Sequence, residues 1–439
     1  MCGTFEQENA PRIPDNAAAI PLVSREMDYF SSELYRRRDP NGMLCGQADL
    51  APLPDDLTEW QDRRRRILRD FEQHVYGTMP PPPDYLELKL LNEKTDALDN
   101  TAIRREIRVY CCMYNGRRHD FDLLVYLPKN ARKVPVFVGL NFDGNQANTP
   151  EMDVRMTRGA ARRPGCWWRF LPPSETMRNV RLDSWNFAEA IRRGYAVATA
   201  SYGEIFPDNP FGFAKSIYRL FHSDEETAES PPMNSAPREY GAINAWAWGD
   251  SRILDALAQG VPEIDTDRAA VIGHSRLGKA ALWCGANDER FKLVISNNSG
   301  CMGAAPNARK FGERFEHTAI LHRFWFNENL VRFAFGDEKL PVDQHELLAL
   351  IAPRTLYVAS SSEDSGADPR GEFLSAQAAG KVWQLYGLRG LDQAELPVEN
   401  LSCGSGVRYH IKNGNHSITA TDWQHYYACA DQIFRADQP

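Results

Sequence analysis

Val271-Ile272-Gly273-His274-Ser275-Arg276-Leu277-Gly278-Lys279-Ala280 decides the fold of this chain. A β-branched run ends in Gly-His-Ser, and a good helix-forming stretch, Lys279 to Trp283, follows at once. Strand, tight turn carrying a serine, then helix is the layout of a nucleophile elbow. The turn demands strained backbone angles, so small residues flank it. It lifts the serine oxygen clear of the sheet, at the positive end of the following helix. The second glycine stands one place later than in the usual G-x-S-x-G. An ordinary strand-to-helix turn capped by a serine is the alternative reading of the same residues.

Outward from the elbow, strands and helices alternate. Val134 to Leu140, Tyr195 to Tyr202, Ala269 to Gly273, Leu293 to Ser296 and Leu356 to Ser360 are continuous apolar runs, as strands buried on both faces should be. Trp185 to Arg193 and Ala242 to Ala258 read as helices between them. Arg104 to Met113 and Asp120 to Leu127 read as neighbouring strands joined by the turn Asn115-Gly116. The pattern predicts an α/β fold of the α/β-hydrolase type: a mainly parallel sheet with helices on both faces. Sites in such sheets form at the carboxyl ends of the strands. The stretches Asn145 to Arg181 and Phe206 to Tyr240 read as long loops, and loops of that length usually serve function.

Residues 1–100 read as an N-terminal appendage, an extended segment and a helix packed on a catalytic domain of residues 101–439. Residues 1–56 are rich in Pro, Asp and Asn with little periodicity. Leu57 to Tyr76 is a predicted helix with Leu57, Trp60, Ile67, Leu68, Phe71 and Val75 on one face. Its run Arg63-Arg64-Arg65-Arg66 fits a solvated helix face, and Pro80-Pro81-Pro82-Pro83 begins a stiff link. The 439 residues carry a net charge of −8, which argues against nucleic acid as a partner. No apolar run approaches a membrane span, and no signal-peptide pattern opens the chain. The nine cysteines form no C-x-x-C pair, and His317 and His322 lack the i, i+4 spacing of a metal pair.

A serine hydroxyl needs a base to take its proton and an acid to orient that base. In α/β-hydrolases the chain order is serine, acid, histidine. Downstream of Ser275, Asp364 follows the strand Leu356 to Ser360, and His416 lies in the loop Lys412-Asn413-Gly414-Asn415-His416-Ser417. The spacings of about 90 and about 50 residues suit that fold. Glu363, adjacent to Asp364, is a rival for the orienting acid, and its other reading is a solvated loop carboxylate. His274 is expected to pack or hydrogen-bond, and His410 and His425 to be structural. Arg276 follows the nucleophile, and Lys279 lies one helical turn from Ser275 on the same side. Cations in a first helical turn oppose the helix dipole. Two of them there suit an acyl group that is itself polar, although helix-surface cations would read the same way.

At this point the chain resembles the glucuronoyl esterases, carbohydrate esterase family 15, most closely the bacterial branch. The resemblance runs from about residue 100 to the C-terminus. It rests on Gly139-Leu140-Asn141-Phe142-Asp143-Gly144-Asn145, Ala245-Trp246-Ala247-Trp248-Gly249, the elbow, Asn297-Asn298-Ser299-Gly300-Cys301 and Ala367-Asp368-Pro369-Arg370-Gly371-Glu372-Phe373. The resemblance implies hydrolysis of the ester between 4-O-methyl-glucuronic acid on xylan and lignin alcohols, through an acyl-serine and with no cofactor or metal. It implies Ser275 as nucleophile and His416 as base. It further implies the Arg276 side chain beside backbone N–H groups in the oxyanion hole, with Lys279 and Glu313 binding the sugar. A polymeric glucuronoxylan substrate implies a secreted or periplasmic enzyme.

Three departures stand out. Some members carry a glutamate acid just after the strand that follows the nucleophile helix, whereas Ser296-Asn297-Asn298-Ser299-Gly300 holds no carboxylate. That leaves the acid to Asp364. A tryptophan that stacks on the sugar is replaced by Gly366, a change expected to cost about 1 kcal/mol of binding unless Trp167, Trp168 or Trp325 substitutes. The cysteines flanking the serine and histidine in fungal members are His274 and Ser417 here. The alternatives are an acetylxylan or other carbohydrate esterase on the same framework, and a non-catalytic carbohydrate-binding relative.

Overall fold

Strands that are apolar on every residue need cover on both faces, and the chain supplies it. The computed structural model describes residues 47–159, 173–223 and 239–435, with the backbone alone of 161–163 and 166–171. Its strands are β1 (Tyr85–Asp96), β2 (Ala102–Cys112), β3 (Arg118–Pro128), β4 (Val134–Asn141), β5 (Ala161–Arg163) and β6 (Cys166–Leu171). They continue as β7 (Ala196–Ser201), β8 (Ile264–His274), β9 (Phe291–Asn297), β10 (Thr355–Ser361), β11 (Ser402–Gly404) and β12 (Val407–Lys412). Ten of them form one sheet in the order β1-β2-β3-β7-β4-β8-β9-β10-β12-β11. The centre, from β7 to β12, is parallel. The edges are antiparallel: β1, β2 and β3 on one side and β11 on the other.

Period-two alternation sends successive residues of one strand into two different cores. In β4, Val136 and Val138 join one core and Phe137 the other; in β8, Val271 joins the first and Ile272 the second. Helices Ala242–Gly260 and Arg276–Asn287 cover the first face with Trp246, Trp248 and Trp283. Helices Phe187–Arg192 and Ala420–Phe434 cover the second with Phe187, Trp423, Tyr426 and Tyr427. Gly139 lets β4 and β8 lie close, since a Cβ there would fall 2.2 Å from Ile272 O.

The helix expected over 57–76 runs Leu57–Phe71, capped by Asp56 through the Glu59 N–H at 2.9 Å, and ends in a π-helical turn, Glu72–Tyr76. Trp60, Ile67, Phe71, Val75 and Tyr76 enter the first core, and Tyr76 packs on Trp283 with ring centroids 4.9 Å apart. Its arginine run is only partly solvated. Arg63 pairs with Glu346 at 2.7 Å and Arg64 reaches Leu350 O at 3.3 Å, because their long stems span to the neighbouring helix Gln344–Ala349. β1 is the edge strand of the main sheet, and the short turn Ala97–Asn100 joins it to β2. Residues 1–46, the first part of the expected extended segment, lie outside the described residues. Within the stretch read as a loop over 145–181, β5 and β6 form a small antiparallel hairpin. No helix among the described residues is long and apolar enough to cross a membrane.

Candidate active site

Ser275 sits at the carboxyl end of β8 with φ 59° and ψ −131°, a strained conformation for a residue with a Cβ. The displaced second glycine has a steric explanation. Gly273 is the tight point, where a Cβ would fall 1.9 Å from Leu277 O. Leu277 is buried in the core, while Gly278 packs closely over Ser299, 3.0 Å from where its Cβ would be. The chain continues as the helix Arg276–Asn287; the Gly278 and Lys279 N–H groups go to Ser275 O at 2.8 and 3.2 Å, and those of Arg276 and Leu277, at the helix start, have no intrahelical acceptor.

Asp364 follows β10 and His416 follows β12, two parallel neighbours in the sheet. His416 Nδ1 lies 2.6 Å from Asp364 Oδ2. Burial opposes ionisation of Asp364. The hydrogen bond and charge of His416, the Asn298 amide and the Ala367 N–H outweigh it and hold the carboxyl below its usual range. Glu363 is exposed, and its backbone N–H goes to Gly414 O at 2.9 Å. Thus it is Asp364 that meets the histidine. The His416 ring lies against the His274 ring, centroids 4.6 Å apart, which brings it to the residue preceding Ser275. His274 is held by Asn297, Nδ1 to Oδ1 at 2.6 Å. Burial, and then the neighbouring His416, lower its pKa to about 3, so it stays neutral.

Asn298 is a residue whose part the sequence did not disclose. It stands in the segment where the resemblance raises the expectation of an acid, yet it serves Asp364 as a donor. Its Nδ2 lies 2.7 Å from Asp364 Oδ2 and 2.9 Å from Ser361 Oγ. Lys412, also buried, donates to Ser361 Oγ and lies 4.0 Å from Asp422. His410 is structural, bonded to Asp422 at 3.0 Å and to Tyr357 at 3.1 Å.

Arg276 and Lys279 are both drawn in beside the elbow, and each meets a carboxylate. Arg276 Nη1 donates to Asp208, whose other oxygen accepts from Trp325 Nε1 at 2.7 Å; Tyr202 Oη also donates to Asp208, at 3.2 Å. The guanidinium lies over the Trp325 ring at 4.8 Å and the Phe142 ring at 5.7 Å. Burial works against its charge, but Asp208 first, with Tyr202 and Glu313, more than compensates. Lys279 Nζ donates to Ser299 O at 2.7 Å and lies 3.8 Å from Glu313 Oε2. Glu313 is itself placed by its N–H on Gly366 O, at 2.8 Å. Asp208 was invisible in the sequence, since it lies in a long loop and its partner is 68 positions away.

Among the described residues, a Cβ at Gly366 would meet Asp364 Oδ1 at 3.6 Å, an ordinary contact that leaves room for a side chain. Trp325 does not take over as a sugar platform. It is 4 % exposed, with one face stacked on His322 at 3.9 Å and its N–H committed to Asp208. The side chains of Trp167 and Trp168 lie outside the described residues. Among the described residues, six cysteines are free thiols and no cluster of three or more His, Cys, Asp or Glu is arranged to hold a metal ion.

Sheet order, elbow and the strand-end placement of Ser275, Asp364 and His416 define the chain as an α/β-hydrolase. A family model described as "Glucuronyl esterase, fungi" matches residues 233–387. The chain is 37% identical over 380 residues, 85% of each protein, to carbohydrate esterase MZ0003 from an unknown prokaryotic organism. It is 35% identical to the glucuronoyl esterase of Solibacter usitatus, with a TM-score of 0.76 over 88% of this chain and 98% of that one. A promiscuous CE15 esterase from a marine bacterial metagenome gives the same identity and TM-score over 90% and 98%. The chain belongs to the glucuronoyl esterases, carbohydrate esterase family 15, on its bacterial side.

Proposed function

We propose that this chain hydrolyses esters of 4-O-methyl-glucuronic acid in glucuronoxylan–lignin linkages, through an acyl-serine. Ser275 Oγ attacks the ester carbonyl while His416 takes its proton, with Asp364 on Nδ1 holding the ring in the tautomer that leaves Nε2 as acceptor. The tetrahedral oxyanion is met by the N–H groups opening the helix at Arg276 and by the Arg276 guanidinium. His416 then returns the proton to the departing alcohol, leaving the uronoyl ester on Ser275. Water attacks that ester with His416 again as base; the Ser275 Oγ–carbonyl bond breaks as His416 returns the proton to Oγ, and the uronate leaves. Lys279 and Glu313 contact the sugar ring.

The observation that carries this reading is Arg276 beside the elbow serine, its side chain only 11% exposed and held in place by Asp208. A polymer substrate of this kind places the enzyme outside the cytoplasm, secreted or periplasmic. A second reading, a deacetylase of the same framework, is favoured by Gly366, which itself supplies no ring where the resemblance implies a sugar-stacking tryptophan. Hydrolysis of benzyl glucuronate beside 4-nitrophenyl acetate, by wild type and Ser275→Ala, separates them. Serine-dependent turnover of the glucuronate with weak acetate cleavage supports the uronate reading. Acetate cleavage with the glucuronate untouched overturns it.

A further inference from the structure

The rim that carries Ser275 holds a second concavity, a cleft of about 590 Å³. It opens at the start of β3, which runs antiparallel to β7 and so brings Arg118 to Asp120 to the edge where the parallel strands end. In sheet order β8 is followed by β4, β7 and β3. Three spacings of ~4.8 Å place the cleft's strand about 14 Å from the strand that bears the nucleophile. The wall between the two is one segment after β7. Its Asp208 faces the elbow and holds Arg276, while Pro207 and Asn209 line the cleft.

In a chain of net charge −8, this cleft is cationic. Arg118, Arg158, Lys215 and Arg219 line it, against Asp120 and Glu204; Arg118 pairs with Glu87 at 2.9 Å and Arg158 with Asp120, so Lys215 and Arg219 carry the excess charge. Neither carboxylate is left to repel an anion. Asp120 is paired with Arg158 at 2.6 Å, and Glu204 is buried, accepting from Thr157 Oγ1 at 2.7 Å, Asp122 N at 2.7 Å and Arg158 N at 2.8 Å. Lys215 and Arg219 stand exposed on the adjoining turns Phe213–Lys215 and Ile217–Leu220. Beside them the Phe211 ring is 70% exposed. Cations next to an open aromatic face form the combination that recognises an acidic sugar: a ring to stack and a carboxylate to pair.

We propose that this cleft is a second saccharide subsite, in which Lys215 and Arg219 pair with a free uronate of the polymer while Phe211 stacks on its backbone sugar. The proposal rests on the uronate reading of the catalytic site. The subsite takes an acidic oligosaccharide segment distant from the ester being cleaved. It favours substrates bearing several uronates over singly substituted ones, and its contribution weakens with salt because the cations are exposed.

The test is the double variant Lys215→Ala/Arg219→Ala and the single variant Phe211→Ala, all surface changes expected to leave the fold intact. Turnover is compared on benzyl glucuronate, on a xylo-oligosaccharide carrying one uronate ester, and on one carrying that ester plus a free uronate. The expected result is a KM for the doubly acidic substrate raised about tenfold or more, with the other two substrates changed less than about twofold. Equal KM values for the singly and doubly acidic substrates in wild type would overturn the proposal, as would equal losses on both in the variants. Calorimetry with Ser275→Ala and a non-esterified, uronate-bearing xylo-oligosaccharide separates this failure from that of the catalytic reading. Binding lost on adding Lys215→Ala/Arg219→Ala supports the subsite even if no ester is cleaved, and unchanged binding overturns it.

Discussion

Replacing Asp208 by asparagine removes a charge while changing almost no volume, and the contacts determine the outcome. In the wild-type carboxylate, Oδ2 accepts from Arg276 Nη1 and from Tyr202, and Oδ1 accepts from Trp325 Nε1. Asparagine offers one acceptor oxygen and one NH2 group. With the oxygen toward the indole, the NH2 faces the guanidinium, donor against donor. With the amide flipped, the indole N–H loses its acceptor. Breaking a buried pair from one side costs about 3–5 kcal/mol. The Arg276 side chain keeps 11% exposure and can rehydrate by moving, which argues for the lower end. On the proposed mechanism, that movement takes the guanidinium off the oxyanion position. Loss of one oxyanion donor is worth ~10²–10³ in kcat, and the backbone N–H groups of the elbow remain. Asp208→Asn is therefore expected to lower kcat on benzyl glucuronate by about 10²-fold, with KM within about threefold and melting a few degrees lower. Both residues act through one donor, so Asp208→Asn added to Arg276→Met should lower kcat no further than Arg276→Met alone. A kcat for Asp208→Asn within about threefold of wild type, or losses that multiply in the double variant, would refute the argument.

Ser275→Ala and His416→Ala should each lower kcat by at least ~10³-fold, and Asp364→Ala by less; a His416 variant within about tenfold of wild type removes it as the base. Gly273→Ala should cost stability well beyond an ordinary surface change, because its Cβ would sit 1.9 Å from Leu277 O. A melting temperature equal to wild type would show that the elbow has room. Burial raises Glu372 from 4.5 to about 8 despite donors from Ser360, Ser299 and Gly300. A raised carboxyl contributes stability that is complete below about 4.5 and is lost as pH rises through about 8. The melting temperature of wild type should therefore fall relative to Glu372→Gln between those values, and a pH-independent difference counts against a protonated Glu372.

Much of the site was legible because its chemistry is tied to strand ends. The elbow is local, written in ten consecutive residues, and Asp364 and His416 each follow an apolar strand that names its own place in the sheet. What the sequence concealed depends on contacts between distant segments. Asp208 sits between two prolines, in Pro207-Asp208-Asn209-Pro210, with nothing nearby to mark it as the partner of Arg276. Asn298 read as a missing carboxylate, although it donates to the carboxylate that is present. Trp325 read as a spare sugar platform, because burial is not encoded in one residue's type. The Arg63–Arg66 run read as solvated for the same reason: its reach to Glu346 exists only once the helix is docked.

The pairing of the two cations changes what the elbow is built for. Arg276 and Lys279 alone would make a site of charge +2, yet Asp208 and Glu313 bring the formal sum of the four to zero. A uronate ester is neutral at its carbonyl, whereas the product is a carboxylate. Bare cations about 4 Å from that carboxylate would hold it by about 4 kcal/mol each at an effective dielectric of 20, and the enzyme would grip its product harder than its substrate. Counter-charges cancel most of that net attraction but leave the N–H donors aimed. A donor aimed at one oxygen acts when charge concentrates there, in the tetrahedral intermediate, and only interactions stronger in the transition state than in the ground state raise kcat. On the uronate reading, cations and carboxylates thus divide the work: Arg276 supplies geometry at the oxyanion and Lys279 at the sugar ring, and Asp208 and Glu313 keep the product from staying.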